Sequence, residues 1–366
     1  MKFNNFVNRQ KEDLLKLRLM ETDIHASGQV SQDFVDTLKA LEDRQKGEEE
    51  EVIDFLSRHQ AMDMDYRLTY EKIKMPFKDD LAYMDSWSGA DFFVGAHGKI
   101  LVRPKDEEEE AQELEGFDGH VLAVEKMGPG SYLLAGGDGI LKRVFRKKAE
   151  YHLEDLSQDL GHDIHYMKKV QGGLLVLGSG GLRGLARVET SQNLVLVEDW
   201  TWSEETWIFG QATDRGIFSV SSGGVLALGN RQVGDFGQKV HGVLAWQGDF
   251  LVYGDQGKIA RFSLDQENFV QDYEGIQGPI YQALALDPDT VLLYQSNGRA
   301  YLLHPAQGQV NQDLDGFGSY ISSARQMEDG SLLLGGWNGF AMRARASKPE
   351  SFQDYMDRYK ESIGWA

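Results

Sequence analysis

The feature that most restricts this chain is a glycine that keeps returning between apolar runs. The stretch LLLGGWNGFAMR at 332–343 is an apolar run, a Gly-terminated pair and a second apolar run. An Asn-Gly pair so flanked is the strongest short-range signal for a two-residue β-hairpin, because both turn residues take positive φ. The same design stands at 92–102 (FFVGAHGKILV), 132–143 (YLLAGGDGILKR), 174–187 (LLVLGSGGLRGLAR), 216–228 (GIFSVSSGGVLAL), 250–262 (FLVYGDQGKIARF) and 290–303 (TVLLYQSNGRAYLL). The predicted turn pairs are His97-Gly98, Asp138-Gly139, Gly180-Gly181, Gly223-Gly224, Gln256-Gly257, Asn297-Gly298 and Asn338-Gly339. A side chain forced into the left-handed second position costs about 1–2 kcal/mol, which explains why that position is glycine each time.

From turn glycine to turn glycine the intervals are 41, 42, 43, 33, 41 and 41 residues. A period near 40 is that of four-stranded propeller blades, so the chain is predicted to be an all-β, seven-bladed propeller. The short interval is assigned to a clipped outer hairpin around Gly234 and Gly237. Between hairpins lies a second motif, where the outer strand of one blade crosses to the inner strand of the next. It reads Leu114-x-Gly116-Phe117 before Val121, Tyr273-x-Gly275-Ile276 before Ile280, and Leu314-x-Gly316-Phe317 before Ile321. A degenerate copy, Pro76-Phe77 before Leu81, precedes the first hairpin and needs an outer strand of its own. Residues 66–74 (YRLTYEKIK) suit that role, closing the ring with chain from both ends and removing an exposed sheet edge.

Outside the repeats the period changes. Residues 3–20, 31–45 and 49–62 carry apolar residues near one helical face, and Phe352, Tyr355, Met356, Tyr359 and Ile363 do the same after Pro349. The expected division is a helical N-terminal extension over 1–65, a propeller over 66–346 with 66–74 as closing strand, and a C-terminal helix over 347–366. The helical ends would cap the closure or serve as docking or oligomerisation elements.

Charge narrows the partners. The formal net charge is −20, which repels phosphate backbones and anionic membranes, so neither nucleic acid nor membrane is an expected partner. The absence of cysteine removes disulfides, thiolate metal sites and a thiol nucleophile. The N-terminal stretch MKFNNFVNRQKEDLL lacks the apolar core of a signal peptide, and no run of about 18 apolar residues occurs, so the expected location is cytoplasmic.

Chemistry is sparse. His162-Asp-Ile-His165 would place its histidines on opposite faces of a strand, and Asp138 and Asp255 read as turn residues rather than calcium ligands, so no metal or cofactor is expected. GSGGLRG at 178–184 has the composition of a phosphate loop but lies between strands, and no catalytic residue is assigned. An acidic run, Lys105–Glu110, faces a basic one, Lys142 to Lys148, on the matching edge of the next blade, as a salt-bridged surface or a charge-steered contact. DWTWSEETWIF holds Trp200, Trp202 and Trp207 at the crossing from the third to the fourth blade, as inter-blade packing or an exposed patch. The binding candidates are these three tryptophans, Trp337 and His97 beside turn glycines, and Arg143 in the basic run.

The hairpin consensus, clearest in LLLGGWNGFAMR and YLLAGGDGILKR, resembles the repeats of the WD40, BNR-like and PQQ-like propeller superfamily, and GKIARFSLD at 257–265 is similar to a quinoprotein-type repeat. The resemblance covers roughly 66–346, without a Trp-Asp and Gly-His pattern, an Asp-box or a PQQ-contacting set. It implies a non-catalytic scaffold or adaptor for protein partners, as a subunit of a larger assembly or an inhibitory binder. The alternatives are a hydrolase or lyase using channel-mouth carboxylates, and a small-molecule sensor.

Overall fold

The computed structural model describes residues 66–347, except 76, 88, 107–109, 149, 157–160, 191–192 and 315–316, together with Lys39. For 67, 188–190, 193–194 and 311–314 only the backbone is described. The helices expected over 1–65 and 348–366 lie outside the described residues.

The described strands form seven four-stranded sheets, each with antiparallel neighbours. Blades 1 to 6 span 81–114, 121–155, 164–199, 207–235, 240–273 and 280–314. Blade 7 combines Ile321–Gln326, Leu332–Gly336 and Ala341–Ser347 with Arg67–Ile73, so strand structure runs one residue past the expected boundary at 346. The first strands of successive blades touch one another all the way round, from Leu81–Ser86 to Ile321–Gln326 and back to Leu81–Ser86. That closed cycle makes them the inner wall and makes the molecule a seven-bladed propeller.

Second strands read as nearly continuous apolar runs because both faces are covered by neighbouring blades. In Ser131–Gly136, every residue after the first is buried, and Thr290–Gln295 is buried throughout. The inter-blade layers are aromatic: Phe92 stacks on Tyr132 across blades 1 and 2 at 4.0 Å, and Phe218 on Phe250 across blades 4 and 5 at 4.1 Å. The closing strand pairs residue for residue with its neighbour, from Arg67 opposite Ser347 to Ile73 opposite Ala341. Leu68 is buried against blades 6 and 7, and the Tyr70 hydroxyl lies 3.2 Å from that of Tyr294.

The seven turns are of two kinds rather than one. Asp138-Gly139, Gly180-Gly181, Gln256-Gly257 and Asn338-Gly339 take positive φ at both residues, as a primed turn requires. At His97-Gly98, Gly223-Gly224 and Asn297-Gly298 only the second residue does, at φ 87°, 105° and 79°. The loops are equally long, with Val94 opposite Ile100 as Ala135 is opposite Leu141, but the turn inside them differs: the Gly98 N–H bonds the Gly95 carbonyl, whereas in the first kind the Ile140 N–H bonds the Gly137 carbonyl. Both designs need a left-handed residue at the same place, so one sequence signal serves two geometries.

A different glycine explains the doubled pair in LLLGGWNG. Gly336 is extended, at φ −141°, yet a Cβ there would sit 2.2 Å from the Tyr320 carbonyl oxygen, where the chain enters the inner strand. Close approach, not a turn, demands it. The crossing motif also extends further than its sequence signature. Phe77, Phe117, Phe236, Ile276 and Phe317 are all buried, each four residues before the first residue of an inner strand. Phe236 lacks the preceding x-Gly pattern, and burial alone reveals it.

Candidate functional site

In a four-stranded meander the turn between second and third strands falls on the same rim as the crossing into the blade. The turn glycines and crossings therefore share one side of the disc, the crossing face. On this side every inner strand carries the same irregularity. Register shifts after its first residue in all seven blades, leaving Ala82, Leu122, His165, Ile208, His241, Tyr281 and Ser322 unpaired. A β-bulge re-aims the side chain it carries, so these seven form a ring at one mouth of the central channel.

The ring and its adjoining turns change character around the disc. On blade 7 the exposed Trp337 and Tyr320 lie parallel, centroids 4.1 Å apart and planes 9° apart. They are 49% and 45% exposed, the most exposed of the large apolar side chains among the described residues. On blade 6 Tyr281 is 37% exposed and stacks at 4.2 Å on His241 of blade 5, whose Nε2 lies 2.6 Å from Asp255. Hydrogen bonds knit the strands beneath: Gln282 donates to the Ser322 carbonyl, and Ser322 to the carbonyl of Leu81. The aromatic arc thus runs over blades 5, 6 and 7 on a tied support.

Beyond it, at the blade 7 to blade 1 seam, lies an acidic corner. Asp79 is buried, and its carboxylate lies 2.6 Å from His97 Nδ1 while accepting the backbone N–H groups of Asp80 and His97. Gly95 makes the room: a Cβ there would stand 2.0 Å from the carboxylate. His97 is exposed, and its ring lies 4.8 Å from that of His120. Asp80 accepts the Asn338 N–H at 3.0 Å, and the Asp79 carbonyl accepts the Gly339 N–H at 2.7 Å. The acidic corner is therefore fastened to the turn that carries Trp337.

The Asp79 hydrogen bond and charge hold the His97 pKa above the ordinary imidazole value of about 6.5. A pKa higher when folded than when unfolded adds stability below the unfolded value, and this is lost as pH rises through the folded one. The His97 ring is expected to titrate above 6.5 by NMR, and Asp79→Asn to bring its midpoint back towards that value. Burial acts oppositely on His165, whose pKa is lowered.

The six sequence candidates separate here. Trp337 and His97 flank the acidic corner. Trp207 is fully buried, with Trp202 stacked at 6.0 Å and Trp200 half-buried in the same cluster between blades 3 and 4. Inter-blade packing is thus what Trp207 does. Arg143 lies apart on the third strand of blade 2, opposite Glu154, with its guanidinium over Phe145 at 5.3 Å. Tyr281, Tyr320, His241, Asp79 and Asp80 were not singled out from sequence. Their signal is positional: each stands within two residues of an inner strand's first residue.

On the opposite face a cleft of about 330 Å³ opens between blades 4 and 5. Trp246 and Phe250 line it, with Gln211, Thr213, Gln247 and Asp249 among its polar residues. No group of three or more His, Asp or Glu side chains among the described residues is arranged to hold a metal ion, and none of their helices is long and apolar enough to cross a membrane.

No family model and no curated protein matches the chain. Solved structures do. The WD40 β-propeller domain of Doa1 is similar with a TM-score of 0.62 at 14% identity, over 79% of this chain and 98% of that one. YCF48 bound to D1 peptide gives 0.61 at 15% identity, over 76% and 97%. The computationally designed Ika8 protein gives 0.60 at 12% identity, over 75% and 99%. Identities this low speak for the fold alone, and at that level the chain is a seven-bladed β-propeller like the WD40 and YCF48 structures.

Proposed function

We propose that the chain is a non-catalytic interaction scaffold whose protein partner docks on the crossing face over blades 5 to 7 and the seam with blade 1. The observation that carries this reading is the exposed Trp337 and Tyr320 stack, continued by Tyr281. Large aromatic side chains left in water on a rigid support are the usual anchors of protein interfaces. The structure of YCF48 with D1 peptide is a precedent for a propeller of this shape holding a peptide. A role as subunit of an assembly or as inhibitory binder, in a cytoplasmic setting, suits an acidic scaffold of this kind.

The test compares partners copurified with the full chain from its native host and with a Trp337→Ala/Tyr320→Ala variant. Both rings are half in solvent, so the variant keeps its thermal midpoint. Its affinity for the partner is expected to fall by 2 kcal/mol or more, roughly thirtyfold. An unchanged affinity would remove this face from consideration. A second reading, a small-molecule sensor, rests on the cleft beside Trp246 and Phe250.

A further inference from the structure

Trp337 offers more than apolar area. An indole face carries negative quadrupolar charge, and Tyr320 stacked against it makes a double aromatic surface. The carboxylate beside that turn is Asp80. It accepts one backbone N–H, from Asn338, and among the described residues no cationic side chain lies within ion-pair distance of it. Asp79 differs, being buried and engaged by His97. The seam therefore presents an exposed aromatic stack next to a carboxylate that makes no ion pair among the described residues, its charge acting only at longer range on His97, on a chain of formal net charge −20. The cation nearest in sequence, Lys78, is exposed and makes no ion pair among the described residues.

Resting on the docking reading above, we infer that this corner receives an arginine side chain from a basic segment of the partner. A guanidinium is planar and weakly hydrated, so it stacks on Trp337 while its edge donates to Asp80. An ammonium meets the same charge but lacks the flat face, which makes arginine the preferred cation. The long-range field of the acidic chain adds attraction that salt screens, whereas the stacking contribution persists.

A short Gly-Arg repeat peptide is the probe, with Gly-Lys, Gly-Glu and Gly-Leu repeats of equal length beside it. Affinity for the full chain and for each variant is read by isothermal titration calorimetry, and the place of binding from the Trp337 indole N–H signal, assigned by its loss in Trp337→Ala. The Gly-Arg peptide is expected to shift that signal and to bind more tightly than Gly-Lys, with no effect from Gly-Glu. Asp80→Asn keeps an acceptor for the Asn338 N–H and is expected to weaken binding about tenfold. Trp337→Ala does the same by a separate route.

Binding that survives both substitutions would be diffuse attraction to an acidic surface and would overturn the inference. So would an equal response to Gly-Leu. If the Trp337→Ala/Tyr320→Ala variant loses its native partner while the Gly-Arg peptide never moves the indole signal, the docking face stands and the arginine chemistry falls. If neither partner nor peptide responds to the variants, both readings fail together.

Discussion

A chain shortened to begin at residue 76 is expected to be insoluble or to melt more than about 10 °C below one beginning at residue 66. The difference between the two is the closing strand. Without Arg67–Ile73, the strand Ala341–Ser347 loses seven paired positions and becomes an open edge. Leu68 leaves its buried place against blades 6 and 7, Tyr70 leaves Tyr294, and Tyr66 no longer donates to Asp287 at 2.8 Å. Burial of one leucine contributes about 2 kcal/mol, and each net hydrogen bond about 0.5–1.5 kcal/mol. A combined loss on the order of 5 kcal/mol is a third or more of a typical domain's stability. At about 2–4 °C per kcal/mol, that gives the expected drop in midpoint. A synthetic peptide of residues 66–75 added back should restore part of it. Equal solubility and equal midpoints for the two chains would show that the strand closes nothing.

Ring closure also bears on the docking face. Blade 7 carries the Trp337 and Tyr320 stack, and the acidic corner belongs to the crossing that follows the closing strand. The two are joined through backbone hydrogen bonds, Asn338 to the Asp80 side chain and Gly339 to the Asp79 carbonyl. Loss of the closing strand is therefore expected to loosen the relation between aromatic stack and carboxylate even where the remaining blades hold.

Much of the architecture was legible because turn chemistry is local. A left-handed residue must be glycine or an equivalent whichever loop surrounds it, so the spacing of Gly98, Gly139, Gly181, Gly224, Gly257, Gly298 and Gly339 survives in one dimension. Turn type does not, since His97 and Asp138 precede their glycines identically in sequence but only Asp138 is left-handed. The role of Gly336 depends on the Tyr320 carbonyl passing over it, a contact made by folding. The site was harder to read. Trp207 and Trp337 are both binding candidates by sequence, yet one is sealed between blades and the other stands half in water. Trp337 stands in a turn and Trp207 at the start of an inner strand, but how far each is exposed is decided by what the neighbouring blade brings to that position. The bulges at His241 and Tyr281 likewise follow from pairing register rather than composition.

The pair Arg183 and Trp207 gives the second large effect, with opposite signs for its two members. Arg183 is fully buried between blades 3 and 4, its guanidinium 4.7 Å from the centroid of the Trp207 ring, and it donates to the Gly229 carbonyl at 2.5 Å. Among the described residues its Nε and Nη1 have no acceptor, and neither has the indole nitrogen of Trp207. Burial pulls the guanidinium pKa down to about 10, so the group is still charged at neutral pH and is held in apolar surroundings with little compensation. Trp207→Ala opens a cavity among Leu175, Leu177 and Ala227 and strips the cation of its aromatic partner. A loss of about 3–5 kcal/mol is expected from the cavity alone. Arg183→Met keeps a similar length of chain while removing the buried charge, and is expected to be neutral or to stabilise by up to about 4 kcal/mol. The double variant separates the contributions, because without the cation the tryptophan truncation should cost less than it does in the parent chain. Chemical denaturation of the four proteins measures all three differences, and a strongly destabilised Arg183→Met would mean that the guanidinium holds blades 3 and 4 together rather than straining them.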